Sequence, residues 1–104
     1  MGENIADLCG LVIAYDAWRL SLEGRPAPTL EGFSGDQRFF LGWAQIWRLN
    51  YRAADLRKRL LTNAHAPAAQ RVWTSRNIDA WYKAFDVKPG QALYLPPEQR
   101  VRIW

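Results

Sequence analysis

The sequence predicts a mainly α-helical fold, organised as a single domain or fragment over residues 1–104. Apolar residues recur at helical spacing through the first stretch of the chain. A serine–glutamine capping signal stands directly before an aromatic-rich run. Residues suited to extended structure gather only in short stretches near 71–73 and 93–95.

Ile5, Leu8, Leu11, Val12, Tyr15, Trp18 and Leu22 line one face of a helix predicted from Glu3 to about Leu22. Its other face carries Glu3, Asp7, Gly10, Ala14 and Ala17, small enough for another segment to pack closely. Glu23-Gly24-Arg25-Pro26-Ala27-Pro28 stops the helix with a glycine and two prolines and opens a loop to Phe33. Ser34-Gly35-Asp36-Gln37 reads as a capping box for a second helix, about Asp36 to Leu49, with Phe39, Phe40, Trp43, Ile46 and Trp47 as a core-facing aromatic side. Ala53 to Leu61 is a shorter basic helix, and Asn63 to Pro67 a loop. Arg71-Val72-Trp73 reads as extended, Asn77 as the cap of a helix over Ile78 to Phe85, and Asp86 to Gly90 as a turn. Leu93 to Leu95 is again extended, and Pro96-Pro97-Glu98-Gln99 opens one helical turn.

With 49% hydrophobic and 13% aromatic residues the chain is expected to be ordered. Six tryptophans exceed what so short a chain can hide, which predicts exposed apolar surface. The net charge of +4 invites a nucleic-acid reading, but apart from Arg48, Arg52, Arg57, Lys58 and Arg59 the cations are dispersed, and that run reads as a solvated helix face. No nucleic-acid partner is therefore expected. A single cysteine, Cys9, excludes an intrachain disulfide and any cysteine-based metal motif, and reads as a small buried residue. Asp7, Asp16 and Arg19 interrupt the first helix, so no signal peptide or membrane-spanning segment is expected.

Glu3 and Asp7 stand one helical turn apart and face the same way, where like charges repel unless a partner intervenes. Nothing nearby along the sequence supplies that partner. Acids in a first turn also complement the helix dipole, which is the plainer explanation of the pair.

The string Gly2-Glu3-Asn4-Ile5-Ala6-Asp7, continued by Gly10-Leu11 and Ala14-Tyr15, resembles the third-ligand segment of the neprilysin family of zinc metallopeptidases. Further pieces match in family order: Gly32 to Phe40 with Trp43-Ala44-Gln45, then His65-Ala66-Pro67 with Arg71 six residues after the histidine. Val87 to Gly90, Tyr94 to Glu98 and Val101 to Trp104 complete the set. The resemblance implies the C-terminal helical part of a zincin-type metallopeptidase catalytic domain, in a zinc-dependent metalloendopeptidase acting on oligopeptides. It implies Glu3 as a zinc ligand, Asp7 as the aspartate that orients a zinc-binding imidazole, His65 as the oxyanion donor, and Arg71 as the clamp on a substrate carbonyl. Without that imidazole, Asp7 is expected to pair with an arginine, and Arg71 is the candidate.

The family's His-Glu-x-x-His helix is absent, since the chain has one histidine in total. Zinc thus belongs to a parent protein, with none expected on the isolated chain, which is expected to be inactive. The partners implied are the missing N-terminal part of the peptidase domain and a peptide substrate. Cys9 replaces a common family glycine, and Val101 stands where many members have a cysteine, so a family disulfide to the tail is not expected. Trp104 is expected to pack into the parent domain, with its carboxylate fixed there. An extracytoplasmic location follows from the resemblance alone. The alternative is a non-catalytic helical interaction module, homodimeric through its exposed apolar surface.

Overall fold

A computed structural model describes residues 2–103. The helices are α1 (Gly2–Ser21), α2 (Gly35–Ile46), α3 (Ala53–Thr62), α4 (Ala68–Val72) and α5 (Asp79–Phe85), with 3-10 turns at Trp73–Asn77 and Pro97–Gln99. The fold is mainly helical. Among the described residues the only β-type pairing is an isolated bridge between Leu30 and Phe33.

The core lies where α1, α2 and the start of α5 meet. Leu8 and Leu11 of α1, Phe40 of α2 and Ile78 form its buried centre. Around it Tyr15 meets Phe39 at 5.2 Å and Phe40 at 5.6 Å between ring centroids, and Trp18 stacks on Phe39 at 5.8 Å. These are offset and edge contacts, each adding about 1 kcal/mol to the burial term. The capping box forms as the sequence predicts: Gln37 N–H donates to Ser34 Oγ, and Ser34 N–H donates to Gln37 Oε1. Gln37 Nε2 also donates to the Ala84 carbonyl at 2.9 Å, so the residue that starts α2 fastens it to α5. Gly35 is required by close approach, since a methyl there would overlap the Cβ of Ala27 and press on the Trp18 ring.

Arg71-Val72-Trp73 is helical rather than extended. Pro67 occupies the N-cap of α4, and the good helix formers Ala68, Ala69, Gln70 and Arg71 outweigh the strand preference of Val72 and Trp73. Leu93-Leu95 has no strand partner either. Arg76 donates to the carbonyls of Leu93 and Tyr94, and Leu95 N–H donates to Tyr82 Oη, so side chains satisfy this backbone in place of a ladder. Asn77 does not cap α5; Ile78 holds that position. Asn77 instead donates to the Thr74 carbonyl and accepts from Val101 N–H, tying the tail to the body of the fold. The helical turn at Pro97–Gln99 is as expected.

The predicted apolar surface is present. Leu61 is 87% and Leu20 79% exposed, and Ile5, Ile13, Ile46, Leu60 and Trp73 are also exposed. Ile5 departs from the expected inward face of α1. The expectation for Trp104 lies outside the described residues. No described helix is long and apolar enough to cross a membrane.

Candidate functional site

The first two turns of α1 place Glu3 and Asp7 on one side of the helix, and the loop before α4 together with α4 itself brings His65 and Arg71 against them. The four residues singled out in the sequence form two neighbouring acid–base pairs. The partners that are lacking along the chain arrive from its other half.

Asp7 and Arg71 form the tighter pair. Arg71 Nε donates to Asp7 Oδ2 and Nη2 donates to Oδ1, both at 2.7 Å, a fork-to-fork geometry matched by no other cationic side chain. The side chains are only 11% and 18% exposed. The hydrogen bonds that Arg71 donates to Asp7 raise its pKa further above its ordinary basic value. The guanidinium also lies 3.9 Å from the centroid of Trp47, whose ring meets Trp43 edge-on at 5.4 Å. Asp7 thus holds Nε and Nη2 while the Trp47 face fixes the plane. Nη1 makes no hydrogen bond among the described residues and remains able to donate to a carbonyl.

Glu3 and His65 form the more open pair, with Nε2 2.9 Å from Glu3 Oε2 and both side chains more than 40% exposed. His65 is set by Asn63. The Asn63 Oδ1 accepts from the His65 backbone N–H at 2.9 Å and lies 3.0 Å from Nδ1. This is an asparagine turn closed on the residue two positions on. Both ring nitrogens therefore lie within hydrogen-bond distance of a side-chain oxygen, which fixes the plane of the ring.

Sequence reasoning missed two members of this arrangement. Trp47 reads from its spacing as a core residue, and its contact with Arg71 carries no local sequence signal because it depends on how α2 and α4 pack. Asn63 reads as a loop residue; the Asn-x-His spacing, which permits the side chain to reach the amide two residues on, is the signal that could have found it. Among the described residues no group of three or more His, Cys, Asp or Glu side chains converges as a metal site. Glu3 can offer one carboxylate to a metal, but the donor set of residues 2–103 does not by itself fit a catalytic zinc, which needs three protein ligands.

The profile described as Peptidase family M13 matches residues 1–101. The chain is 37% identical over 109 residues to "Neprilysin-2" of Caenorhabditis elegans, covering 99% of this chain and 14% of that protein. It is 38% identical over 109 residues to human "Endothelin-converting enzyme-like 1", covering all of this chain and again 14% of the relative. A crystal structure of the Mycobacterium tuberculosis zinc metalloprotease ZMP1 in complex with inhibitor matches with a TM-score of 0.96 and 54% identity, over 99% of this chain and 16% of that one. The chain spans about one-seventh of the length of the curated relatives it matches. Its helical fold is that of a part of a zincin-type peptidase domain.

Proposed function

This chain belongs to peptidase family M13, and from that premise we propose that it is the C-terminal segment of a zinc-dependent metalloendopeptidase that hydrolyses peptide bonds in oligopeptides. The observation that carries the proposal is the convergence of Glu3, Asp7, His65 and Arg71 on one surface, from opposite halves of the chain.

In this reading Glu3 supplies one carboxylate ligand to zinc, and the two imidazoles and the general base come from a part of the peptidase outside residues 2–103. Zinc bound there would polarise a water and the scissile carbonyl. Asp7 orients a ligating imidazole and at the same time holds Arg71 in a fixed plane. Arg71, anchored through Nε and Nη2, presents Nη1 to a backbone carbonyl of the peptide and so aligns it. His65, steadied by Asn63, swings its Nε2–H from Glu3 to the oxyanion that develops on the scissile carbonyl; donors of this kind are worth about 3 kcal/mol. The isolated chain is then inactive, and the enzyme's place is extracytoplasmic.

Reading the codons upstream of Met1 tests this directly: an in-frame His-Glu-x-x-His is expected, and its absence contradicts the proposal. Metal analysis of the purified chain gives a second check. Sub-stoichiometric zinc is expected, and one tightly held zinc per chain would overturn the division of ligands.

A second reading, a helical interaction module that pairs with its own copy, draws on the α1 face where Ile5, Gly10, Ile13, Ala14 and Ala17 are all exposed. On the peptidase reading that face receives the rest of the catalytic domain. Sedimentation discriminates: a compact monomer counts against the module.

A further inference from the structure

A cleft of about 830 Å³ opens beside His65, walled by α3 and by the segments on either side of it, 49–52 and 62–65. Arg52, Lys58 and Arg59 line it, with Asp55 as the only carboxylate among the lining residues, so the cleft holds an excess of positive charge. Among the described residues none of these three cations has a carboxylate within ion-pair distance. Arg59 lies 5.1 Å from the ring centroid of Tyr51, which steadies its guanidinium on the cleft wall without neutralising it. Tyr51, Arg59 and His65 also border a small recess that continues toward Pro67, so the basic cleft runs on into the loop that carries His65.

We propose that this cleft is a substrate subsite that takes an acidic side chain of the bound peptide, close to the scissile bond. The proposal rests on the reading of His65 as the donor at that bond. Because His65 itself lines the cleft, a peptide held at His65 has the cleft beside it, and a side chain directed into it meets three cations against the single carboxylate of Asp55. Asp55 among those cations disfavours a closely spaced run of phosphates, whereas a single carboxylate can avoid it. The arrangement therefore fits an acidic peptide better than a nucleic acid.

The test is a titration of the full chain, followed by backbone amide NMR shifts, with blocked oligopeptides that differ only by glutamate against glutamine. The glutamate peptide is expected to shift the amides of residues 62–65 and to bind about fivefold more tightly at low salt, the size of one or two exposed charge contacts. The preference should fade at high salt and vanish in Lys58→Gln/Arg59→Gln, whose amide dispersion reports whether it stays folded. Equal binding of the two peptides overturns the subsite and leaves the peptidase reading standing. An acid preference that survives Lys58→Gln/Arg59→Gln, in a folded variant, likewise overturns it. A preference lost in that variant, with affinity for both peptides unchanged in Arg71→Lys, keeps the subsite and sinks the role given to Arg71. Tighter binding of a single-stranded oligonucleotide at the same amides would also overturn the proposal.

Discussion

In the proposed peptidase Asp7 would serve two partners with one carboxylate. Its oxygens are both engaged by Arg71, yet the family reading also gives it an imidazole to orient, and a carboxylate has lone pairs enough for both. Because the pair is largely shielded from water, removing one member leaves the other charge poorly compensated. Asp7→Asn should therefore destabilise the chain by about 2 kcal/mol, measured as a shift in the urea midpoint, more than an exposed ion pair would cost. The Asp7–Arg71 pair was legible in the sequence because the acid had to find a cation and Arg71 follows in the right order. The Glu3–His65 contact was not, since nothing along the sequence says that the loop will close over the first turn of α1. Trp47 under Arg71 was hidden for the same reason: side-chain stacking between helices is a property of packing, not of spacing.

At the scale of elements, the signals that succeeded are those fixed within a few residues. The capping box at Ser34 and Gln37 is such a signal, and it appears in the structure with both of its hydrogen bonds. Ser34→Ala should cost about 1 kcal/mol in thermal or urea unfolding, the usual value of an N-cap. The cost should be greater if freeing Gln37 also loosens its bond to Ala84 on α5. The extended assignments at 71–73 and 93–95 failed because strand preference counts for little without a neighbouring strand. At 71–73 a proline start and alanines made a helix. At 93–95 the backbone found Arg76 and Tyr82 instead, and neither partner lies close enough in sequence to be read from the local pattern.

At the scale of the molecule, the tail is clasped to α5 by charge. Arg100 and Arg102 both donate to the Asp79 carboxylate, and Arg100 lies 3.6 Å from the Tyr82 ring centroid. The hydrogen bonds from Arg100, then those from Arg102, hold the Asp79 carboxyl below its ordinary value of 3.8. A carboxyl lowered in this way adds stability that is fully present above the ordinary value and is lost as pH falls through the lowered one. The urea midpoint should therefore drop below about pH 4, and Asp79→Asn should flatten that part of the profile. The clasp keeps the closing segment on the same body as α1, whose outer face is left open with Ile13 and Leu20 exposed. An open apolar face, the lack of a metal-binding cluster among the described residues and a chain one-seventh the length of its relatives belong together if this is one wall of a larger peptidase cleft. The most direct test is a graft of this chain into the M. tuberculosis zinc metalloprotease ZMP1 in place of its matching segment, with zinc content and peptide hydrolysis measured together. One zinc per molecule with activity, both lost in Glu3→Ala, is the expected result; a folded graft that keeps its zinc and activity in Glu3→Ala would contradict the account.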